Sequence, residues 1–151
     1  MGFKRAVENT PSIAEAYRPG LQAMEKEHRD HVAPPDTRLL TGSINLDRAL
    51  ATAMPNAPRW DYGVGLKTRT QSEKAIWIEV HPASSNHIDG ILAKLGWLKG
   101  WLRTDAPRLK AMPAEFVWIA SGRVSLPPHS PQRRKIAGQG LRFGGERYTL
   151  A

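Results

Sequence analysis

Phe116-Val117-Trp118-Ile119-Ala120 is an unbroken run of apolar side chains. A strand exposed on one face alternates, so a run without alternation marks a strand buried on both faces. Such a strand lies inside a sheet covered by helices. Pro107 and Pro113 punctuate the connection that leads into it. Before them, His87 to Arg103 places Ile88, Ile91, Leu92, Leu95, Leu98 and Leu102 on one helical stripe. Before that helix and the Pro82 to Asn86 loop, Lys74 to His81 alternates. Ile76, Ile78 and Val80 share one face, and Trp77, Glu79 and His81 share the other. A strand, a helix and a strand in succession imply a right-handed crossover.

Further towards the N-terminus, Trp60 to Leu66 alternates as well. Tyr62, Val64 and Leu66 lie on one face, with Asp61, Gly63 and Gly65 on the other. Thr68 to Glu73 is polar and reads as a turn, and Met54 to Pro58 as a loop. Arg38 to Asp47 contains a further alternating strand, Ser43-Ile44-Asn45-Leu46-Asp47. Thr10-Pro11-Ser12 has the chemistry of a helix start, broken at Pro19-Gly20. A second helix is predicted from about Leu21 to Val32, stopped by Pro34-Pro35. Ser130-Pro131 opens another, with Gly138 and Gly140 near its end. The tail, Leu141 to Leu150, fits a strand or a hairpin around Gly144-Gly145. The order predicts an α/β fold with a mixed central β-sheet flanked by helices. It is read as one domain over residues 1–151: an N-terminal extension and short helix (1–20), a core (21–120), and a C-terminal helix with a strand or hairpin (121–151).

A chain of 151 residues is long enough to bury a core without disulfide or metal staples. Hydrophobic residues are 40% and charged residues 24%, ordinary for a globular chain, which argues against wholesale disorder. The absence of cysteine excludes disulfides and thiolate chemistry, and fits a cytoplasmic location. No stretch approaches the roughly 20 apolar residues that span a bilayer. Lys4 and Arg5 are not followed by the apolar segment of a signal peptide. Lysine and arginine total 22 against 14 acids, a formal charge of +8. A surplus of that size attracts phosphate backbones through counterion release, so the expected partner is a polyanion, nucleic acid before others. The plain alternative is a basic surface that only keeps the chain in solution.

Several residues carry potential chemistry. If the two middle strands form a hairpin, Asp61 and Glu79 converge at one edge, and His81 leaves the same face as Glu79. The small neighbours Gly63 and Gly65 leave room beside Asp61. Paired carboxylates on a sheet suit a hard divalent cation such as Mg²⁺. The alternative is a solvated pair on an exposed face. Glu25 falls inside the stripe of Leu21, Met24, His28 and Val32, where a carboxylate needs a partner or faces a site. His28 and His31 are a weak zinc pair, because the spacing is not the four residues typical of helical ligands. Trp97 and Trp101 fall largely off the leucine stripe, close to Lys94, as an exposed partner surface or a stacking platform would. The alternative is that a loop covers them. Arg133-Arg134-Lys135 sits at a helix start, with Arg123 and His129 at the same end of the buried strand, and together they suit a basic patch.

The order helix, three strands, helix, strand resembles the core of the PD-(D/E)XK nuclease-like superfamily. There an aspartate sits on the second core strand, a Glu-x-Lys or Asp-x-Lys follows on the third, and the first helix often supplies a glutamate. Trp60-Asp61-Tyr62 looks like the aspartate strand, Ile78-Glu79-Val80-His81 like the next motif, and Glu25 like the helix glutamate. The resemblance spans about Leu21 to Ala120 and departs at His81, which stands where the family has lysine. It implies a restriction-endonuclease-like αβββαβ core and phosphodiester hydrolysis with Mg²⁺ or Mn²⁺ held by Asp61 and Glu79. Glu25 would join them, His81 would orient water, and Arg123, Arg133, Arg134 and Lys135 would guide the strand. The alternative it allows is an inactive module of the same fold that binds nucleic acid. That module could instead dock a protein partner or a second copy through Trp97 and Trp101.

Overall fold

A computed structural model describes residues 2–33 and 36–151. Its elements are α1 (Phe3–Glu8), a 3₁₀ turn (Pro11–Ile13), α2 (Lys26–Arg29), β1 (Val32–Ala33), β2 (Leu40–Asn45), α3 (Leu46–Leu50) and β3 (Tyr62–Lys67). They continue with β4 (Glu73–His81), α4 (Ile88–Asp105), α5 (Pro107–Lys110), β5 (Ala114–Ala120), α6 (Pro131–Gly138), β6 (Leu141–Gly145) and β7 (Tyr148–Thr149). The main sheet has five strands in the order β2-β3-β4-β5-β6. The first two pairings are antiparallel, and β4-β5 and β5-β6 are parallel. The fold is therefore mixed α/β, with α4 as the crossover between β4 and β5. No helix among the described residues is long and apolar enough to cross a membrane.

The apolar run that predicts a central strand lies in β5, between β4 and β6, and Trp118 is fully buried. Its indole N–H donates to the His81 carbonyl at 3.1 Å, which satisfies the one polar atom of the ring. The alternation of β3 and β4 divides the interior in two. Trp77 and Trp118 face the side packed by Phe3, Ile91, Leu95, Leu98 and Trp101 of the helices. Tyr62, Val64, Ile76, Ile78, Val80, Val117 and Ile119 face the other, which Met24, Val32 and Leu150 close.

Four expectations change. The strand read through Leu46 and Asp47 ends at Asn45, whose side chain accepts from the Arg48 amide and starts α3 at Leu46. The helix over residues 21–32 is a turn followed by the four residues of α2, because Glu25 is extended (φ −62°, ψ 144°). Met24 and Val32 are buried without it, Val32 as a strand residue paired with Tyr148. Pro34 and Pro35, expected to end that helix, lie outside the described residues. The tail is not a hairpin: β6 pairs with β5, and β7 pairs in parallel with β1. The start at Thr10 is a 3₁₀ turn, and the Thr10 hydroxyl bonds back to the Ala6 carbonyl at 2.8 Å instead of capping.

The glycines beside Asp61 do not leave open space. A Cβ at Gly63 would stand 2.6 Å from Cζ3 of Trp77 and 3.2 Å from Cγ1 of Ile44. The bulk of Trp77 is accommodated by the lack of a side chain across the ladder. Gly63→Ala is expected to overpack this core by about 2 kcal/mol, a fall in Tm of about 4–8 °C by thermal denaturation. A Tm equal to that of the wild type would contradict the packing.

Candidate active site

The β3-β4 ladder ends at the pair Tyr62 and Ile78, and the same register carries Asp61 opposite Glu79. At that point side chains replace backbone in the pairing. The Asp61 amide donates to Glu79 Oε1 at 3.1 Å, and the Val80 amide donates to Asp61 Oδ2 at 2.9 Å. The Asp61 carbonyl is turned away to the start of α3, where it accepts from the amides of Leu46 at 2.9 Å and Asp47 at 3.3 Å. The preceding loop is pinned by Arg59. Its guanidinium donates to the Met54 carbonyl at 2.7 Å, the Asp47 carbonyl at 3.1 Å and Asp47 Oδ1 at 2.9 Å. The strands thus part at Asp61 with two carboxylates at the opening.

Glu79 is fully buried, and Lys94 of α4 forms an ion pair with its Oε2. Burial and the neighbouring charge of Asp61 push the Glu79 carboxyl up to about 8, against the pull of Lys94 and the Asp61 amide. Burial also raises Asp61, partly offset by the Val80 N–H, Lys94 and His28. Burial works to lower Lys94, but Glu79 outweighs it and, with Asp61 and Asp47, holds its pKa above the usual lysine value. The ammonium thus contacts Glu79 and reaches Asp61 only through its field.

A second layer lies beside Asp61. Tyr62 Oη is 2.7 Å from His28 Nδ1 and accepts from the Glu25 amide at 3.3 Å. Burial pushes the phenol up to about 12, so it stays protonated.

The structure thus gathers Asp61 and Glu79 and adds Lys94, and it places the other expected residues elsewhere. The exposed Glu25 pairs with Arg48 at 3.5 Å, outside the carboxylate pair. Its place in the apolar stripe disappears with the helix that defined it. His81 bonds through Nδ1 to the Pro82 carbonyl at 3.1 Å, and its ring lies edge-on to His87 at 4.8 Å. His31 Nδ1 is 2.6 Å from the Glu146 carbonyl, apart from His28. No group of three or more His, Asp or Glu side chains among the described residues could hold a metal ion. Trp101 is buried, against the expectation of exposure, because it continues the stripe Ile91, Lys94, Leu98. Trp97 is half-buried and stacks on it at 6.1 Å. Arg133 lies over the Phe143 ring at 4.6 Å, and Lys135 pairs with Asp89 at 3.0 Å. Arg123 and Arg134 are exposed.

No family model, curated protein or solved structure matches the chain. The geometry alone bears on function. Lys94 is the residue that sequence reasoning passed over. The signal was present: Ile91, Lys94, Leu98 and Trp101 follow one another at three or four residues, and a lysine in an apolar stripe needs an acid to face.

Proposed function

We propose that the chain is a metal-dependent phosphodiesterase of the PD-(D/E)XK kind that acts on nucleic acid, with Asp61, Glu79 and Lys94 as its centre. The observation that carries this reading is the Lys94 ammonium on Glu79, beside Asp61, where β3 and β4 part. The family's lysine position holds His81, and Lys94 supplies the missing cation from the next helix. The sheet supports the same restriction-endonuclease-like core through β2-β3-β4-β5, antiparallel twice and then parallel across the α4 crossover, without the first helix that the sequence suggested.

The chemistry of the donor set, though not its number, suits a hydrated Mg²⁺ or Mn²⁺: two carboxylates, one of them buried and paired with Lys94. It consists only of carboxylate oxygens, which hard cations prefer, and it holds more acidic groups than bases. Asp61 and Glu79 would hold the ion, with Asp61 Oδ1 free of hydrogen-bond partners among the described residues. Such an ion supplies an activated water and neutralises charge on the phosphoryl group. Lys94 is protonated at neutral pH, so it acts as a donor: it orients Glu79 and stabilises anionic charge on a phosphate. The Val80 amide fixes Asp61, and Arg59 fixes the loop before it. Cleavage of labelled DNA or RNA with Mg²⁺, abolished by a chelator, is the expected result. Failure with both nucleic acids and with Mn²⁺ would remove the hydrolase.

A second reading is an inactive module of the same fold that binds nucleic acid or docks a protein, and the complete burial of Glu79 favours it. Docking of a partner or second copy would then rest on Trp97 more than on Trp101. Both nucleic-acid readings require polyanion binding through a surface of net charge +8. Raising salt from about 50 to 200 mM is expected to weaken binding about fortyfold if about three phosphates are neutralised. Fluorescence anisotropy with labelled strands measures this, and binding insensitive to salt would contradict it.

A further inference from the structure

A cavity of about 260 Å³ opens at the end of the sheet that carries Asp61, lined by Arg18, Gln22, Asn45 and Arg48 over Ala23 and Ala49. Asn45 is the ladder partner of Tyr62, the residue after Asp61, which sets the cavity about one ladder step along the sheet from Asp61 without either carboxylate lining it. Its frame is fixed by backbone. Arg18 and Ser43 exchange hydrogen bonds of 2.9 and 2.8 Å, and the Ala23 amide donates to Ser43 Oγ at 3.1 Å. Asn45 Oδ1 accepts from the Arg48 amide at 2.9 Å and anchors that residue at the start of α3. The Arg18 guanidinium is held by the carbonyls of Glu15 at 3.0 Å and Tyr17 at 2.7 Å, both through Nη1. Arg48 meets an oxyanion already, the Glu25 carboxylate, across a long and exposed 3.5 Å contact.

We propose that this cavity is a phosphate subsite, which takes a backbone phosphate of the nucleic-acid strand next to the one presented to Asp61 and Glu79. The position in the strand rests on the phosphodiesterase reading; the binding of phosphate does not. Two guanidiniums offer fork-shaped donors that match phosphate oxygens, and the amides of Gln22 and Asn45 add neutral partners. The cavity is too small for a folded partner and of a size for a phosphate with part of its sugar. Glu25 is displaced from Arg48 when phosphate enters, so its carboxylate competes with the ligand instead of serving catalysis.

The test uses the full chain with ¹⁵N-labelled arginine. Inorganic phosphate, then a short single-stranded oligonucleotide, is titrated while the Nε–Hε signals of Arg18 and Arg48 are followed. Both titrations are expected to move both signals. Arg48→Gln is expected to raise the oligonucleotide Kd about tenfold, and Glu25→Gln, which removes the competitor, to lower it about threefold. Circular dichroism checks that each variant is folded. Unmoved signals, or an unchanged Kd in both variants, would overturn the subsite, and so would a response to inorganic phosphate without one to the oligonucleotide. Binding that behaves as expected, in a protein that cuts nothing, retains the subsite and rejects only the hydrolase.

Discussion

Lys94→Met is expected to destabilise the chain by about 3 kcal/mol near pH 8.5 and by roughly 1 kcal/mol near pH 5. The cause is the carboxylate it leaves behind. Glu79 is fully buried, and the Lys94 side chain, 27% exposed, is its counter-charge. Breaking a buried pair by removing one partner costs about 3–5 kcal/mol, and the partial exposure of Lys94 puts this pair at the lower end. The pH dependence follows from the raised carboxyl. In the folded chain Glu79 titrates at about 8 against an ordinary 4.5. Its stabilising contribution is complete below the unfolded value and is lost as pH rises through the folded one. The wild type therefore loses stability across that window. Without Lys94 the folded pKa climbs further, so the variant loses more, whereas near pH 5 both chains carry a largely protonated Glu79. Urea denaturation at the two pH values measures the difference, and an equal loss at both would show that Lys94 does not face Glu79 as an ion.

Asp61→Asn is expected to lower the cleavage rate by at least about a thousandfold, a loss of about 4 kcal/mol of transition-state stabilisation. The substitution is nearly isosteric. The new Oδ1 can still accept from the Val80 amide, the bond that ties Asp61 to β4. The fold and the phosphate contacts should survive, and nucleic-acid affinity should stay within about threefold of the wild type. What disappears is the negative charge that would hold the cation and that raises Glu79. The same substitution is therefore expected to lower the Glu79 pKa, visible as a shallower loss of stability between pH 4.5 and about 8. A variant that cuts at the wild-type rate would free Asp61 of any part in the chemistry.

The elements read correctly from sequence are those whose burial imposes a strong period. β3 and β4 alternate because each has two distinct faces. The run within β5 does not alternate because both of its faces are covered, and α4 carries a stripe because one side packs on the sheet. The misread elements are those whose local pattern was satisfied by a distant contact. Met24 and Val32 have helical spacing, yet what buries Val32 is pairing with Tyr148 at the other end of the chain. Of the strand and the hairpin that the tail allows, the strand forms, because β6 is taken up by β5. At the site, Asp61 and Glu79 were legible because strand register places them opposite one another. Lys94 was not, since its role depends on how α4 packs across the sheet, which no spacing within one strand encodes. Glu25 was named for a stripe that the fold does not form.

Asp61, Glu79 and Lys94 are proposed to form a metal-dependent phosphodiester-cleaving site. Its most direct test is a single-turnover cleavage assay on labelled DNA and RNA with Mg²⁺ or Mn²⁺, run on the wild type and Asp61→Asn purified in parallel. Metal-dependent cleavage is expected from the wild type and none above background from the variant, with both chains binding the strand. A wild type that binds but does not cut with either metal, or a variant that cuts as fast, would contradict it.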